Sequence, residues 1–145
     1  MTAGNKTFAT AFNCMDGRCQ EAVTNYARKK FSVEFVDMIT EPGMDGILVG
    51  KKVAPEQPGN IFDWIIFKAK VSTGGHGSRH AVVVGHSQCA GNNVSDQTHL
   101  SDIQQMAETV RSWKLFETVI PLMAREGSNG WEVSEVSEVQ TAAAA

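Results

Sequence analysis

The sequence has few cysteines, no strong excess of either charge and no long apolar run. Three cysteines among 145 residues is an odd number, which argues against a disulfide framework and fits a reducing compartment where thiols are free to bind metal. The 13 basic and 16 acidic residues give a net charge of −3, so no basic field favours a nucleic-acid partner. The longest apolar runs are much shorter than a membrane span. We therefore expect a cytoplasmic protein that binds neither nucleic acid nor membrane.

The length and composition are those of one domain. A chain of 145 residues, 42% of them hydrophobic, is long enough to bury one sizeable core. No internal repeat or linker divides it. We predict a single domain over residues 1–140, followed by a low-complexity tail over residues 141–145.

Strands and helices are predicted to alternate along the chain. Short apolar runs bounded by turn-forming residues predict strands, and apolar residues at helical spacing predict the helices between them. The predicted strands are residues 7–13, 33–38, 81–85, 118–123 and 131–133. The predicted helices are residues 20–30, 61–71 and 102–113, the last with Ser101 as its N-cap. Residues 41–46 are predicted to form a loop, and Pro121 predicts an edge or irregular position in the fourth strand.

This order predicts a three-layer, doubly wound α/β fold with a mainly parallel sheet and helices on both faces. In a strand order of 2-1-3-4, with the last strand at an edge, strands one and three are neighbours. Their connections leave in opposite directions, which opens a crevice at their carboxyl ends. Such crevices are where α/β folds of this kind bind their ligands.

Metal-binding side chains follow both of these strands. Cys14 comes directly after strand one, and His86-x-x-Cys89 follows strand three. Each motif is weak alone, because a histidine and a cysteine near a strand end are often packing residues, but the topology delivers both to one crevice. A Cys₂His set with an open fourth position is the pattern of a catalytic zinc site, so we predict one Zn²⁺ per chain. Asn92 and Asn93 are predicted only to shape the turn.

The motifs Cys14-x-Asp16-x-Arg18 and His86-x-x-Cys89 together resemble the β-class carbonic anhydrases. The resemblance implies a zinc enzyme that converts carbon dioxide and water reversibly to bicarbonate and a proton. It also implies that Cys14, His86 and Cys89 hold the metal. The residues that match Asp16 and Arg18 form a catalytic dyad in that family, and the family assembles as dimers or multiples of dimers.

The chemistry of the dyad follows from its charges. Zinc lowers the pKa of a bound water from about 15.7 towards 7, which provides a hydroxide nucleophile at neutral pH. Asp16 would accept a hydrogen bond from that hydroxide and orient it, while Arg18 keeps the carboxylate ionised and turned. In the closed state that the resemblance implies, Asp16 itself takes the fourth metal position. The backbone amides of Ala90 and Gly91 are predicted to bind a bicarbonate oxygen.

The sequence departs from the family after the second strand, where residues 39–46 replace an Arg-Asn-Ala-Gly-like run. It also lacks the N-terminal helical arm of most members, so we expect a reduced or rebuilt dimer contact. Two alternatives stay open. In the first, the same site would hydrolyse another small electrophile, such as carbon disulfide or carbonyl sulfide. In the second, the zinc would only stabilise the domain, with Asp16 closing the site.

Five other candidate side chains are expected to be structural. Cys19 is predicted to be a small packing residue or a surface thiol. His76 and His80 are predicted to be loop and strand-edge polar groups, with proton transfer as the alternative. His99 and Asp102 follow the site turn, and a proton-relay role is the alternative to a structural one.

Overall fold

Strands and helices alternate along residues 7–137, the part of the chain that this computed structural model describes. The strands are β1 (Phe8–Asn13), β2 (Phe35–Thr40), β3 (His80–His86), β4 (Thr118–Gly127) and β5 (Gly130–Glu135). The helices are α1 (Gln20–Phe31), α2 (Met44–Leu48), α3 (Ile61–Gly75) and α4 (Asp96–Ser112). The tail predicted over residues 141–145 lies outside the described residues. Within residues 7–137, no helix combines the length and the hydrophobicity needed to cross a membrane.

The strands form one sheet in the order β2-β1-β3-β4-β5. β1 pairs in parallel with β2 and β3, β3 pairs in parallel with β4, and β5 is the antiparallel edge strand. Successive side chains of a strand point to opposite faces, so Val83 of β3 packs with α2, α3 and α4, while Val82 and Val84 pack with α1. The predicted three-layer α/β fold, strand order and edge strand are confirmed.

The sheet reverses its winding direction between β1 and β3. α1 connects β1 to β2 on one face, and α4 connects β3 to β4 on the other. Because these connections diverge, the carboxyl ends of β1 and β3 border an open crevice. Whatever follows these two strands is therefore placed in the same crevice.

α4 begins six residues earlier than the sequence predicts. Its N-cap is Ser95, whose hydroxyl accepts a hydrogen bond from the Thr98 amide at 3.1 Å, and not Ser101. The first turns carry His99, which is fully buried through a hydrogen bond to a carboxylate and not through hydrophobicity. The apolar periodicity that marks a helix in a sequence therefore starts late here.

The loop predicted over residues 41–46 contains the start of α2. Gly43 is the N-cap of this helix and has a φ of +69°, a left-handed conformation that glycine adopts at little cost. All five residues of α2 are buried. A helix of little more than one turn shows no periodicity in a sequence, so the sequence predicts a loop here.

Pro121 lies inside β4 without breaking the sheet. The pairing of β4 with β5 begins at Leu122, so Pro121 lies beyond the end of β5. Its carbonyl accepts a hydrogen bond from Val136 at 2.9 Å on that side. Because the amide and carbonyl of a strand residue point the same way, the missing N–H of Pro121 removes no bond to β3. Pro121 thus keeps its register with Val83 of β3 and lies just beyond the β4–β5 ladder, which is a local edge and not an irregular position.

Candidate metal centre

Three side chains of types that commonly ligate metals meet in the crevice between β1 and β3. Cys14 directly follows β1, His86 ends β3, and Cys89 lies three residues further on. All three are buried, and one ligand atom from each lies within 4.8 Å of the others. The two cysteine sulfurs are 3.9 Å apart. The structure thus brings together all three residues that the sequence predicts as metal ligands.

The ring of His86 is oriented for a metal ligand. Its Nδ1 lies 2.7 Å from the Ser87 carbonyl oxygen, which can only accept, so the neutral ring carries its proton at Nδ1. Its Nε2 is buried and has no hydrogen-bond partner among residues 7–137. Leaving a buried polar atom unpaired is costly, and a metal ion would satisfy it. Two thiolates and one imidazole are a donor set that suits zinc.

Backbone amides face both sulfurs. The Gly43 amide donates to Cys14 Sγ at 3.5 Å, and the Asn92 amide donates to Cys89 Sγ at 3.3 Å. The hydrogen bond with Cys89 is the main cause that lowers the pKa of Cys14 to about 4, against the effect of burial. The same contact raises the pKa of Cys89. Burial lowers the pKa of His86, but the neighbouring cysteines, Cys14 first, raise it on balance. A metal ion would displace these shared protons.

Asp16 and Arg18 form a two-pronged ion pair at the mouth of the site. Arg18 Nη2 donates to Asp16 Oδ2 at 2.7 Å, and Arg18 Nε donates to Oδ1 at 3.0 Å. The Arg18 backbone amide adds a bond to Oδ1 at 2.9 Å. These hydrogen bonds from Arg18 lower the pKa of Asp16 to about 2, against a smaller effect of burial. Asp16 is therefore ionised at neutral pH, with Oδ2 only 3.9 Å from His86 Nε2.

Arg18 is held by two residues that sequence reasoning missed. Its Nη1 donates to the Gln88 side-chain oxygen at 3.0 Å, and its Nη2 donates to the Gln88 carbonyl at 3.1 Å. Its guanidinium carbon lies 4.9 Å from the ring centroid of Trp131 on β5, within the range of a cation–π contact. Gln88 has a φ of +60°, which a sequence does not reveal for a glutamine. Its position inside His86-x-x-Cys89 was the one available signal.

The loop after β2 packs backbone to backbone on the loop after β3. A Cβ atom on Gly43 would lie 2.6 Å from the carbonyl carbon of Gly91, and a Cβ on Gly91 would lie 2.4 Å from the Gly43 nitrogen. Gly91 is thus fixed against Gly43, while the adjacent Ala90 is exposed. The loop that carries Cys89 has its shape set by this contact.

Gly43→Ala is expected to destabilise the protein by at least about 2 kcal/mol, since a left-handed alanine costs roughly 1–2 kcal/mol and its Cβ would also overlap the Gly91 backbone. Urea unfolding followed by tryptophan fluorescence measures the change. The control is Gly59→Ala, where a Cβ would meet nothing within 4 Å. Equal stabilities of the two variants would contradict the close loop contact.

His76 and His80 lie at the opposite end of the sheet. β3 runs from His80 to His86. Its six steps of about 3.3 Å place His80 roughly 20 Å from the proposed ligand His86. His76 Nδ1 is bonded to Asp37 Oδ2 at 2.6 Å, and His80 stacks on a phenylalanine ring. The alternative of proton transfer to the crevice is therefore wrong for both. Cys19 is fully buried in the core beneath α1, which confirms it as a packing residue.

Comparison with known proteins gives one family match. Residues 4–137 match the family described as "Putative carbonic anhydrase". No curated protein matches the sequence. Among solved structures, the chain is similar to the β-carbonic anhydrase CafA of the fungal pathogen Aspergillus fumigatus, with a TM-score of 0.42 and 14% sequence identity, over 96% of this chain and 82% of that chain.

Proposed function

The chain belongs to this carbonic anhydrase family, and from that premise we propose that it is a zinc enzyme that hydrates carbon dioxide reversibly to bicarbonate. The observation that carries the proposal is a buried Cys₂His donor set with an ionised carboxylate at its mouth. Asp16 Oδ2 lies 3.9 Å from His86 Nε2, close enough to act on a group bound beside that nitrogen. The reaction adds water to carbon dioxide and releases one proton to solvent.

We propose that Cys14, His86 and Cys89 hold one Zn²⁺ per chain. Among the described residues the group offers three ligand atoms, which agrees with a catalytic site, because structural zinc sites are usually closed by four protein ligands. When bound there, zinc would supply a water of lowered pKa, towards 7. Burial of the three side chains keeps competing solvent away from the sulfurs.

The proposed catalytic residues are Asp16 and Arg18. Ionised Asp16 accepts a hydrogen bond from the attacking oxygen and so points its lone pair at carbon dioxide. Arg18 engages both carboxylate oxygens and thereby holds Asp16 off the metal position. Gln88 and Trp131 fix the guanidinium in turn.

We propose that the backbone amides of Ala90 and Gly91 donate to a bicarbonate oxygen. Both residues follow Cys89 directly on the crevice loop. The close packing of Gly91 on Gly43 restrains this loop, and donors fixed in advance stabilise developing charge best.

We further propose a cytoplasmic homodimer. The outer face of α3 exposes Trp64, Phe67 and Val71 to solvent, three apolar residues at helical spacing that a second copy would cover. The three cysteines are free, which agrees with a reducing compartment.

Stopped-flow measurement of carbon dioxide hydration tests the proposed function. The zinc-loaded protein is expected to accelerate hydration, with a rate that rises with pH over roughly 6.5 to 9 as the metal-activated water loses its proton. Elemental analysis of the same sample establishes the zinc content. A rate that falls with pH, or no acceleration at full zinc content, would contradict the proposal.

The two alternatives give different results in the same experiment. Turnover of carbonyl sulfide or carbon disulfide without carbon dioxide hydration would indicate a hydrolase on the same metal site. Full zinc content with no turnover of any of the three, and loss of the fold on chelation, would indicate a zinc-stabilised domain without catalysis.

A further inference from the structure

A buried network of polar side chains lies directly behind the metal-binding loop. Its members, which we call the Asn92 network, are Lys51, Asp45, Asn92, His99 and Asp102. Asp45 is 2% exposed, Asn92 4%, His99 0% and Asp102 4%. Burying two carboxylates is expensive unless both are paired and hydrogen-bonded. Hydrogen bonds and an opposite charge around Asp45 and Asp102 must therefore offset the cost of burying these carboxylates.

The side-chain amide of Asn92 joins the two buried carboxylates. Its Nδ2 donates one hydrogen to Asp45 Oδ1 at 3.0 Å and the other to Asp102 Oδ2 at 3.0 Å. His99 Nδ1 contacts Asp45 Oδ2 at 2.6 Å, and Lys51 Nζ donates to Asp102 Oδ2 at 2.6 Å. Only a side chain with two N–H donors can bridge the two carboxylates in this way. If residue 92 were aspartate or alanine, neither Asp45 nor Asp102 would receive a hydrogen bond from it.

The neighbouring elements leave room for this network. A Cβ atom on Gly46 of α2 would lie 2.8 Å from Asn92 Cγ. A Cβ on Gly85 of β3 would lie 2.7 Å from Asp45 Oδ2. Any larger residue at either glycine would displace a member of the network. Asn92 is thus fitted tightly between a helix, a strand and two carboxylates.

The network reaches both metal-binding sulfurs. The backbone amide of Asn92 donates to Cys89 Sγ at 3.3 Å. Asp45 lies two residues after Gly43, whose amide donates to Cys14 Sγ at 3.5 Å. The bond between the Asn92 and Asp45 side chains therefore ties together the two loops that direct amides at the two sulfurs.

We propose that Asn92 is a positioning residue of the metal centre, which holds the amides of residues 43 and 92 on the two thiolates. This inference rests on the proposed zinc site. Hydrogen bonds to a thiolate draw negative charge away from sulfur, and outer partners of this kind tune metal affinity and acidity. Two thiolates neutralise a divalent ion, so these amides restore part of the positive charge that acidifies water. Asn92 acts through the sulfurs and touches no substrate.

The test compares Asn92→Ala with Asn93→Ala in the full chain. Asn93 is the adjacent residue and is exposed, which makes it a matched control. Chelator competition is expected to show zinc bound about 10 to 100-fold more weakly by Asn92→Ala. In the Co²⁺-loaded variant, the sulfur-to-cobalt charge-transfer band should move to longer wavelength, because a thiolate without its amide donor gives up an electron more easily. Asn93→Ala should match the parent in both measurements.

A loss of stability alone would not move the cobalt band, so the two readouts separate positioning from folding. If Asn92→Ala does not fold, Asn92→Ser keeps one donor and should shift the band in the same direction by less. A folded Asn92 variant with the parental band and zinc affinity overturns the proposal. Parent protein that binds zinc tightly and hydrates no carbon dioxide overturns the proposed function, yet leaves this test intact.

Discussion

Asp16→Asn is expected to lower kcat/KM for carbon dioxide hydration by about 100-fold or more and to leave the zinc content unchanged. An asparagine carries no charge, cannot hold the two-pronged bond with Arg18, and can turn a donor towards the attacking oxygen. Losing the orientation of a reacting group by about 1 Å commonly costs on the order of 10²-fold. Stopped-flow hydration with metal analysis of the same sample measures both quantities.

Arg18→Ala is the companion variant, and its pH dependence identifies the cause of any loss. Arg18 depresses the pKa of Asp16 to about 2, so the stabilisation that this ion pair gives is present above the ordinary aspartate pKa and is lost as pH falls through about 2. Without Arg18, the pKa of Asp16 returns towards its ordinary value, which is still well below 7. A lower rate at neutral pH therefore reports a displaced carboxylate and not a protonated one.

A second ion pair provides the control for both variants. Arg79 Nε donates to Glu117 Oε2 at 2.7 Å, and both side chains are exposed at the far end of β3. Glu117→Gln and Arg79→Ala should keep the parental rate, because exposed ion pairs contribute at most about 1 kcal/mol. An Asp16→Asn variant as active as Glu117→Gln would remove Asp16 from the mechanism.

The sequence predicts the sheet and the ligand triad because both depend on local patterns and one topological rule. β1 and β3 are apolar runs, and the doubly wound order alone brings Cys14 and His86 together. The start of α4 could not be predicted, because His99 is buried by a hydrogen bond to Asp45, far away in the sequence. Interactions between distant residues leave no periodic signal.

The same limit explains the residues around the site. Asn92 has the sequence features of an ordinary turn residue, and its two carboxylate partners become neighbours only when α2 and α4 pack together. Trp131 reaches Arg18 from β5, more than 100 residues further along the chain. The sequence identifies the residues that bear the chemistry, while the residues that hold them in place emerge from the tertiary structure.

Cys14→Ser is expected to weaken zinc binding by more than about 100-fold. Removing an outer partner of a metal ligand typically costs 10 to 100-fold, and removing a thiolate ligand should cost more. Zinc that binds only the folded state stabilises it by about 2.7 kcal/mol at a concentration of 100 Kd. If Kd rises 100-fold, the same zinc concentration contributes only about 0.4 kcal/mol. Thermal unfolding with and without zinc, alongside chelator competition, measures this loss.

Cys19→Ala is the matched control for Cys14→Ser, since both positions are buried cysteines near the same end of β1. Cys19 is not in the group of ligand atoms that lie within 4.8 Å of one another. Cys19 borders the His86 ring but offers no ligand atom to the group, so its variant should lose far less zinc affinity than Cys14→Ser and keep most of the zinc-dependent rise in Tm. Equal loss of zinc in both variants would make Cys19 a ligand and disprove the proposed Cys₂His set. Full zinc affinity in Cys14→Ser would show that the zinc site is not in this crevice. The proposed role of Asp16 would then be disproved as well.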